Sequence, residues 1–158
     1  MKNAPVLRLA RDADSAGVIA LIGAVYAEYP GNVLDVATEE RGLLAPCSSF
    51  ERFWVLEQEG RIVGCIAAVT REPGRRVELK KCYLAPELRG QGWGRRLIAC
   101  VEEYADAVGC SEIELWSDTR FTAGHRAYLG LGWRRTGAVR ELHDLSQSTE
   151  LHFLKRRG

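Results

Sequence analysis

The sequence predicts an α/β fold: one domain over residues 1–158, built on a mixed, mostly antiparallel sheet with a central βαβ unit. Three observations carry this. Strand-like runs at 53–57, 62–70 and 76–84 are separated only by turn residues, as in an antiparallel meander. A long amphipathic stretch then leads to a further alternating run, Glu112–Ser117, which sets it parallel to its predecessor through a helical crossover. Two last strand-like runs, Trp133–Leu142 and Thr149–Arg156, close the chain around a polar loop.

Taken in order, Val6 to Ala10 reads as a short strand. Asp12 or Asp14 is placed to cap a helix running to about Glu28, with Val18, Leu21, Ile22, Val25 and Tyr26 on one face. Pro30-Gly31-Asn32 stops it, and residues 33–51 are less regular, with a short helix expected near Thr38–Leu44. Glu59-Gly60-Arg61 joins Phe53–Glu57 to Ile62–Thr70, and Pro73-Gly74 turns the chain into Arg76–Leu84. Trp93, Leu97, Ile98, Val101, Tyr104, Ala105 and Val108 recur at the spacing of one buried helix stripe. Phe121 to Leu131 reads as a helix ended by Gly132. The final strand, Thr149–Arg156, taken as a sheet edge, offers a route to a homodimer.

Composition narrows the function classes. The 158 residues are 46% hydrophobic and 27% charged, enough for one real core. A net charge of +1 gives no electrostatic case for nucleic acid or a membrane surface, and Arg75-Arg76 and Lys155-Arg156-Arg157 read as solvated ends. The opening M-K-N-A-P-V-L-R-L holds no apolar signal core, and no apolar run approaches ~18 residues. Cys47, Cys65, Cys82, Cys100 and Cys110 form no C-x-x-C pair and read as reduced thiols in a cytoplasmic protein, Cys82 among them as a buried thiol. His125, His143 and His152 lie apart, outside any H-E-x-x-H, so no metal is expected, and His125 reads as a helix-surface group. No G-x-S-x-G elbow is present for a serine hydrolase.

The most telling stretch runs from Val77 to Tyr104, where a strand enters a glycine-rich turn that opens the long helix. Gly90, Gly92 and Gly94 sit just before and inside its first turn, where glycine admits positive φ and lets a ligand approach bare N–H groups. A helix start offers unpaired donors and the positive end of the macrodipole, a setting for an anion. Arg89, Arg95 and Arg96 crowd this end against the dipole, which makes sense if a phosphate or pyrophosphate sits among them. Solvated arginines around a plain glycine turn are the alternative. A Walker loop is excluded because the chain has no Gly-Lys pair. A dinucleotide fingerprint starting at Gly90 fails at Arg95.

Arg89, Gly92 and Gly94 do satisfy R-x-x-G-x-G, preceded by K-K-C-Y-L-A-P-E and followed later by A-Y-L-G-L-G-W. With these pieces the span from Glu78 to Trp133 resembles the GNAT superfamily of acyl-CoA-dependent N-acetyltransferases. The resemblance implies acetyl-CoA as co-substrate and a primary amine of a small molecule or peptide as acceptor. Its pyrophosphate would lie on the N–H groups from Gly90 through Gln91, Gly92, Trp93 and Gly94 to Arg95, with Arg89 assisting. The pantetheine arm would pair like an added strand with the backbone of the Cys82-Tyr83-Leu84 segment. A bulge near Glu78–Cys82 would aim an N–H at the thioester oxygen. Tyr26, Glu28 and Tyr29 would face the acceptor.

For catalysis, Glu78 is a lone carboxylate in an otherwise apolar and basic strand. The resemblance makes it the base that takes the amine's proton, directly or through water. Its other reading is an ion pair with Lys80 or an arginine on the neighbouring strand; Glu57, Glu114 and Asp118 are reserves. Tyr128 precedes L-G-L-G-W as the family's tyrosine does, which implies the acid that protonates the leaving thiolate; the other reading is a core aromatic. The pattern departs from the family at Phe121 and Gly124, where many members carry asparagine and alanine, so Thr119 or Thr122 would have to supply the asparagine's contact. A non-catalytic acyl-CoA-binding or sensing domain is the second functional reading, and a nucleotide-phosphate binder the third.

Overall fold

A computed structural model describes residues 2–158. Seven strands form a single sheet: β1 (Val6–Leu9), β2 (Arg52–Gln58), β3 (Arg61–Glu72), β4 (Arg76–Leu84), β5 (Glu112–Asp118), β6 (Arg134–Glu141) and β7 (Thr149–Arg156). Their order across the sheet is β1-β2-β3-β4-β5-β7-β6, with β4 and β5 parallel and every other neighbouring pair antiparallel. Four α-helices accompany them: α1 (Ser15–Tyr26), α2 (Pro46–Ser49), α3 (Trp93–Ala107) and α4 (Thr122–Gly130). The mixed sheet and its β4-α3-β5 crossover are those expected from the hydrophobic periods, and β4 has the expected bounds at both ends.

The core lies in two layers, one on each face of the sheet. Val18, Leu21, Ile22 and Val25 of α1 bury against Val55, Val63 and Cys65. On the other face, Leu97, Ile98, Val101 and Ala105 of α3 bury against Ile66, Val77 and Ile113. Each fully buried Leu, Ile or Val contributes about 1.5–3 kcal/mol relative to exposure, so these two stripes dominate the fold's stability. β3 is buried on both faces from Val63 to Ala68 because it lies beneath both helices.

Several local expectations need correction. Asp14 does not cap α1 with its side chain; it accepts from Arg11 N (2.8 Å) and from Arg8 Nη1 and Nη2 (2.8 and 2.9 Å). Asp14 is itself the last residue of a 3-10 turn, Asp12–Asp14, which precedes the helix. Thr38–Leu44 is not one helix but ends in a 3-10 turn, Arg41–Leu44, followed by α2. Val108 falls past the last turn of α3 and is 41% exposed, so the buried stripe stops at Ala105. β7 is not an edge: β6 folds back outside it, and the edges are β1 and β6. His125 is half-buried against Phe153 (ring centroids 5.3 Å) with Nε2 3.0 Å from Ser117 Oγ, and burial lowers its pKa.

The α1–β3 contact fixes one glycine. A Cβ on Gly17 would stand 2.6 Å from Cγ1 and 3.3 Å from Cβ of Ile62, close to the strand backbone, so the neighbour cannot swing away. Gly17→Ala is expected to destabilise by about 1–3 kcal/mol through overpacking, outweighing the ~1 kcal/mol gain in helix propensity. Gly23→Ala, whose Cβ would meet only Leu34 Cδ2 at 3.7 Å, is expected to stabilise by about 0.5–1 kcal/mol. Urea denaturation of the two variants distinguishes the effects by opposite signs.

Candidate active site

β4 and β5 stay in register for three residue pairs only, Arg76↔Glu112, Val77↔Ile113 and Glu78↔Glu114, and then part. A bulge accounts for the divergence. Opposite Ile66 of β3, β4 inserts an extra residue, and Lys81 takes a left-handed conformation with φ +56°. Such a bulge kinks the strand and raises its twist. A non-glycine residue held there costs about 1–2 kcal/mol, and the Lys81 Nζ–Glu40 Oε2 pair at 2.6 Å helps hold it. The expected bulge near Glu78–Cys82 is therefore present, at Lys81-Cys82.

Between the diverging strands lies a cavity of about 640 Å³. One end reaches the turn before α3, where Gly90 and Gly92 have φ of +74° and +88°. Gly92 is the helix N-cap; the first helical bond is Arg96 N to its carbonyl at 3.2 Å. The N–H groups of Trp93, Gly94 and Arg95 therefore lie ahead of the first helical bond. A Cβ at Gly90, Gly92 or Gly94 would meet nothing within 4 Å, so open space adjoins these donors. Room and unspent donors together fit a diphosphate.

The cavity gathers Glu78, Cys82, Tyr83, Leu84, Gly90, Gly92, Gly94, Arg95 and Tyr128, together with Arg89. The side chains of Gln91 and Trp93 turn away from it, leaving only their backbone at the turn: Gln91 Nε2 donates to Glu87 O at 2.9 Å, and the Trp93 ring packs under the Arg96 guanidinium at 4.5 Å. Arg89 is committed to bracing the turn. Its Nη1 and Nη2 grip Glu28 of the segment after α1 at 2.8 Å each, and Nε and Nη2 donate to Leu84 O. That arginine holds the Glu28 carboxyl below its usual range.

Midway along the cleft, the Tyr128 hydroxyl lies beside the Cys82 thiol. Burial pushes Tyr128 well above the ordinary tyrosine value and Cys82 up to about 11. Cys82 is thus a protonated thiol, half-buried rather than fully buried, with no histidine base among these contacts, and Tyr128 keeps its proton throughout the physiological range. Across the cleft, Tyr26 and Tyr83 hydroxyls stand 3.3 Å apart, and burial raises Tyr26 to about 12. Phe121 packs edge-on against Tyr29 (4.8 Å) and lies 6.2 Å from Tyr83, so the position offers aromatic packing in place of an amide. Thr119 and Thr122 are both exposed and outside the cavity lining, so neither stands in for it.

Glu78 is 6% exposed at the far end, with Oε1 2.6 Å from Arg71 Nε and Oε2 3.8 Å from Lys80 Nζ. Both ion-pair partners named from the sequence are therefore present. Arg71 is brought there by a second irregularity, between Thr70 and Glu72 of β3, which alternation alone does not reveal. The sequence reading also missed a roof over this end. Arg120 donates to Asn32 Oδ1 (2.9 Å), Asp118 Oδ2 (2.7 Å) and Ser146 O (2.5 Å), while Ser146 Oγ accepts from Val33 N at 2.7 Å. Of the reserves, Asp118 is held in this roof, Glu114 bonds His152 (3.0 Å) and Glu57 bonds Arg8 (2.6 Å). Among the described residues no group of three or more His, Cys, Asp or Glu could hold a metal, and no helix is long and apolar enough to cross a membrane.

Comparison with known proteins identifies a family and a shared fold. The profile of the acetyltransferase (GNAT) family matches residues 23–133. An N-acetylaspartate synthetase of Danio rerio is 33% identical over 107 residues, covering 68% of this chain and 37% of that protein. N-acetyltransferase 8F1 of Rattus norvegicus is 30% identical over 123 residues, covering 74% and 54%. The matched part of the chain thus spans about a third to a half of the length of these relatives. A GNAT-family acetyltransferase of Staphylococcus aureus superposes with a TM-score of 0.81 at 16% identity, covering 97% of this chain and 99% of that one. A phosphinothricin acetyltransferase of Sinorhizobium meliloti, solved with acetyl-CoA, gives 0.75 at 18% identity, covering 99% and 90%. Both share the fold.

Proposed function

This chain belongs to the acetyltransferase (GNAT) family, and from that premise we propose that it moves an acetyl group from acetyl-CoA to a primary amine of a small molecule or peptide by direct attack. The observation that carries the reading is one continuous cleft, which joins a ring of open N–H donors to a buried carboxylate along the edge that β4 exposes after Glu78. When bound, acetyl-CoA supplies the acyl group as a thioester. The donors ahead of Arg96 hold its diphosphate, and Arg95 adds charge at that end. The β4 backbone near Cys82 and Leu84, past the point where β5 parts from it, pairs with the pantetheine arm, and the Lys81-Cys82 bulge turns an N–H into the cleft.

Glu78 takes the proton that the attacking amine must lose. Arg71 occupies Oε1, which leaves Oε2 to accept it directly or through a water. Tyr128 presents a hydroxyl that stays protonated, so it donates to the departing sulfur. Aspartate belongs in the first acceptor panel, given the name of the Danio rerio relative.

A second reading, a non-catalytic acyl-CoA-binding domain, draws on Glu78 being already paired with Arg71. The experiment is an amine panel that follows free thiol release from acetyl-CoA, run beside a thermal shift with acetyl-CoA and with ATP. Protection by acetyl-CoA with amine-dependent release is expected. Protection without release on any amine favours the binding domain, and protection by ATP alone overturns both.

A further inference from the structure

Six carboxylates line the cleft, and each already has a partner. Glu78 has Arg71 (2.6 Å), Glu40 has Lys81 (2.6 Å), Glu150 has Arg140 (2.7 Å) and Asp118 has Arg120 (2.7 Å). Glu39 accepts from Leu145 N (2.9 Å), and Asp144 from Ser148 N (2.8 Å) and Oγ (2.9 Å). The cations of the acceptor half are Lys80, Lys81 and Arg140. Of these, Lys80 alone makes no hydrogen bond among the described residues; its nearest carboxylate oxygen is Glu78 Oε2 at 3.8 Å. Its side chain is 28% exposed. Around it, Arg71, Lys80 and Lys81 stand against Glu78 and Glu40, a local excess of one positive charge.

The Lys80 ammonium is half-buried with only this long contact to Glu78, and burial lowers its pKa, so a nearer anion would stabilise its charge. The coenzyme does not bring one. Its charge lies on phosphates, which the glycine turn receives beyond Leu84, and the arm that reaches mid-cleft is neutral. Only the acceptor is left to bring an anion. We infer that Lys80 reads a carboxylate of the acceptor, so that the substrate is an amino acid or a similar amino-carboxylic acid. This rests on the acetyltransferase reading above. One molecule then meets both groups, its amine at Glu78 and its carboxylate at Lys80, two residues apart on the same face of β4.

The test compares L-aspartate, L-asparagine and aspartic acid diamide, which share a skeleton and an amine position while losing carboxylates in turn. For each, kcat/KM is measured with the unaltered protein and with Lys80→Met and Lys80→Arg. Comparing each variant with the unaltered protein on the same acceptor cancels the intrinsic nucleophilicity of the amine. Lys80→Met is expected to lower kcat/KM for the best carboxylate acceptor about ten-fold or more beyond its effect on the diamide, mostly through KM, as for loss of one charge-assisted hydrogen bond. Lys80→Arg is expected to restore part of that selectivity. Equal losses on all three acceptors, or no carboxylate preference in the unaltered protein, overturn the inference while leaving the acetyltransferase reading standing. Absence of thiol release with every amine, in a protein that acetyl-CoA still protects, removes both.

Discussion

Replacing Gly92 by valine is expected to raise the Kd for acetyl-CoA by about 100-fold or more, some 2.7 kcal/mol, with the fold intact. Two effects combine. Gly92 has φ +88°, a conformation that costs an L-residue about 1–2 kcal/mol and a β-branched one more. Its Cβ would meet nothing within 4 Å inside the protein, so the added side chain occupies space left for the ligand. The donors it disturbs make charge-assisted bonds worth about 1.5–3 kcal/mol each. Gly74→Val is the control, because Gly74 has φ +75° and equally open surroundings in the β3–β4 turn, far from the cleft. Both variants should lose similar stability in urea, and only Gly92→Val should lose heat of binding in calorimetry. Equal binding losses, or none, would show that the turn does not hold the diphosphate.

What the sequence disclosed and what it hid follow from the range of the forces involved. β4 was legible to the residue because its bounds are local: Pro73-Gly74 before it and Pro86 after it leave little freedom. The glycine turn was legible for the same reason, since its conformation is set by three residues within five. The acceptor end was not. Val33 meets Ser146 across 113 positions and Arg120 meets Asn32 across 88, and no local period records such pairings. Arg71 reaches Glu78 only because β3 carries an irregularity there, which shifts the strand's alternation at one point. The edge was misassigned for a related reason. Two consecutive strands at the end of a chain pair with each other in either order, and only packing on β5 decides that the last one lies inside. Lys80 illustrates the limit from the other side: its position on the Glu78 face is plain in the sequence, but the length of its one ion-pair contact, 3.8 Å to Glu78, emerges only from the fold.

Glu78→Gln is expected to lower kcat by about 10²–10⁴-fold, the range for loss of a positioned base, while the Kd for acetyl-CoA stays unchanged. The substitution is close to isosteric, and the glutamine's carbonyl oxygen can still accept from Arg71 Nε, so the guanidinium keeps a partner and the buried end of the cleft keeps its shape. The base assignment competes with a purely structural one, in which Glu78 exists to hold Arg71. Arg71→Gln separates them. The Arg71 side chain is 47% exposed but that of Glu78 only 8%, so loss of Arg71 should cost about 1–3 kcal/mol of stability and leave the carboxylate in the cleft. If Glu78 is the base, Arg71→Gln lowers kcat by less than about ten-fold while Glu78→Gln nearly abolishes turnover. If the pair itself is what matters, the two variants lose activity equally, and the proton must leave through another group. Single-turnover measurements with acetyl-CoA in excess keep the comparison on the chemical step, because product release then no longer masks a change in proton transfer.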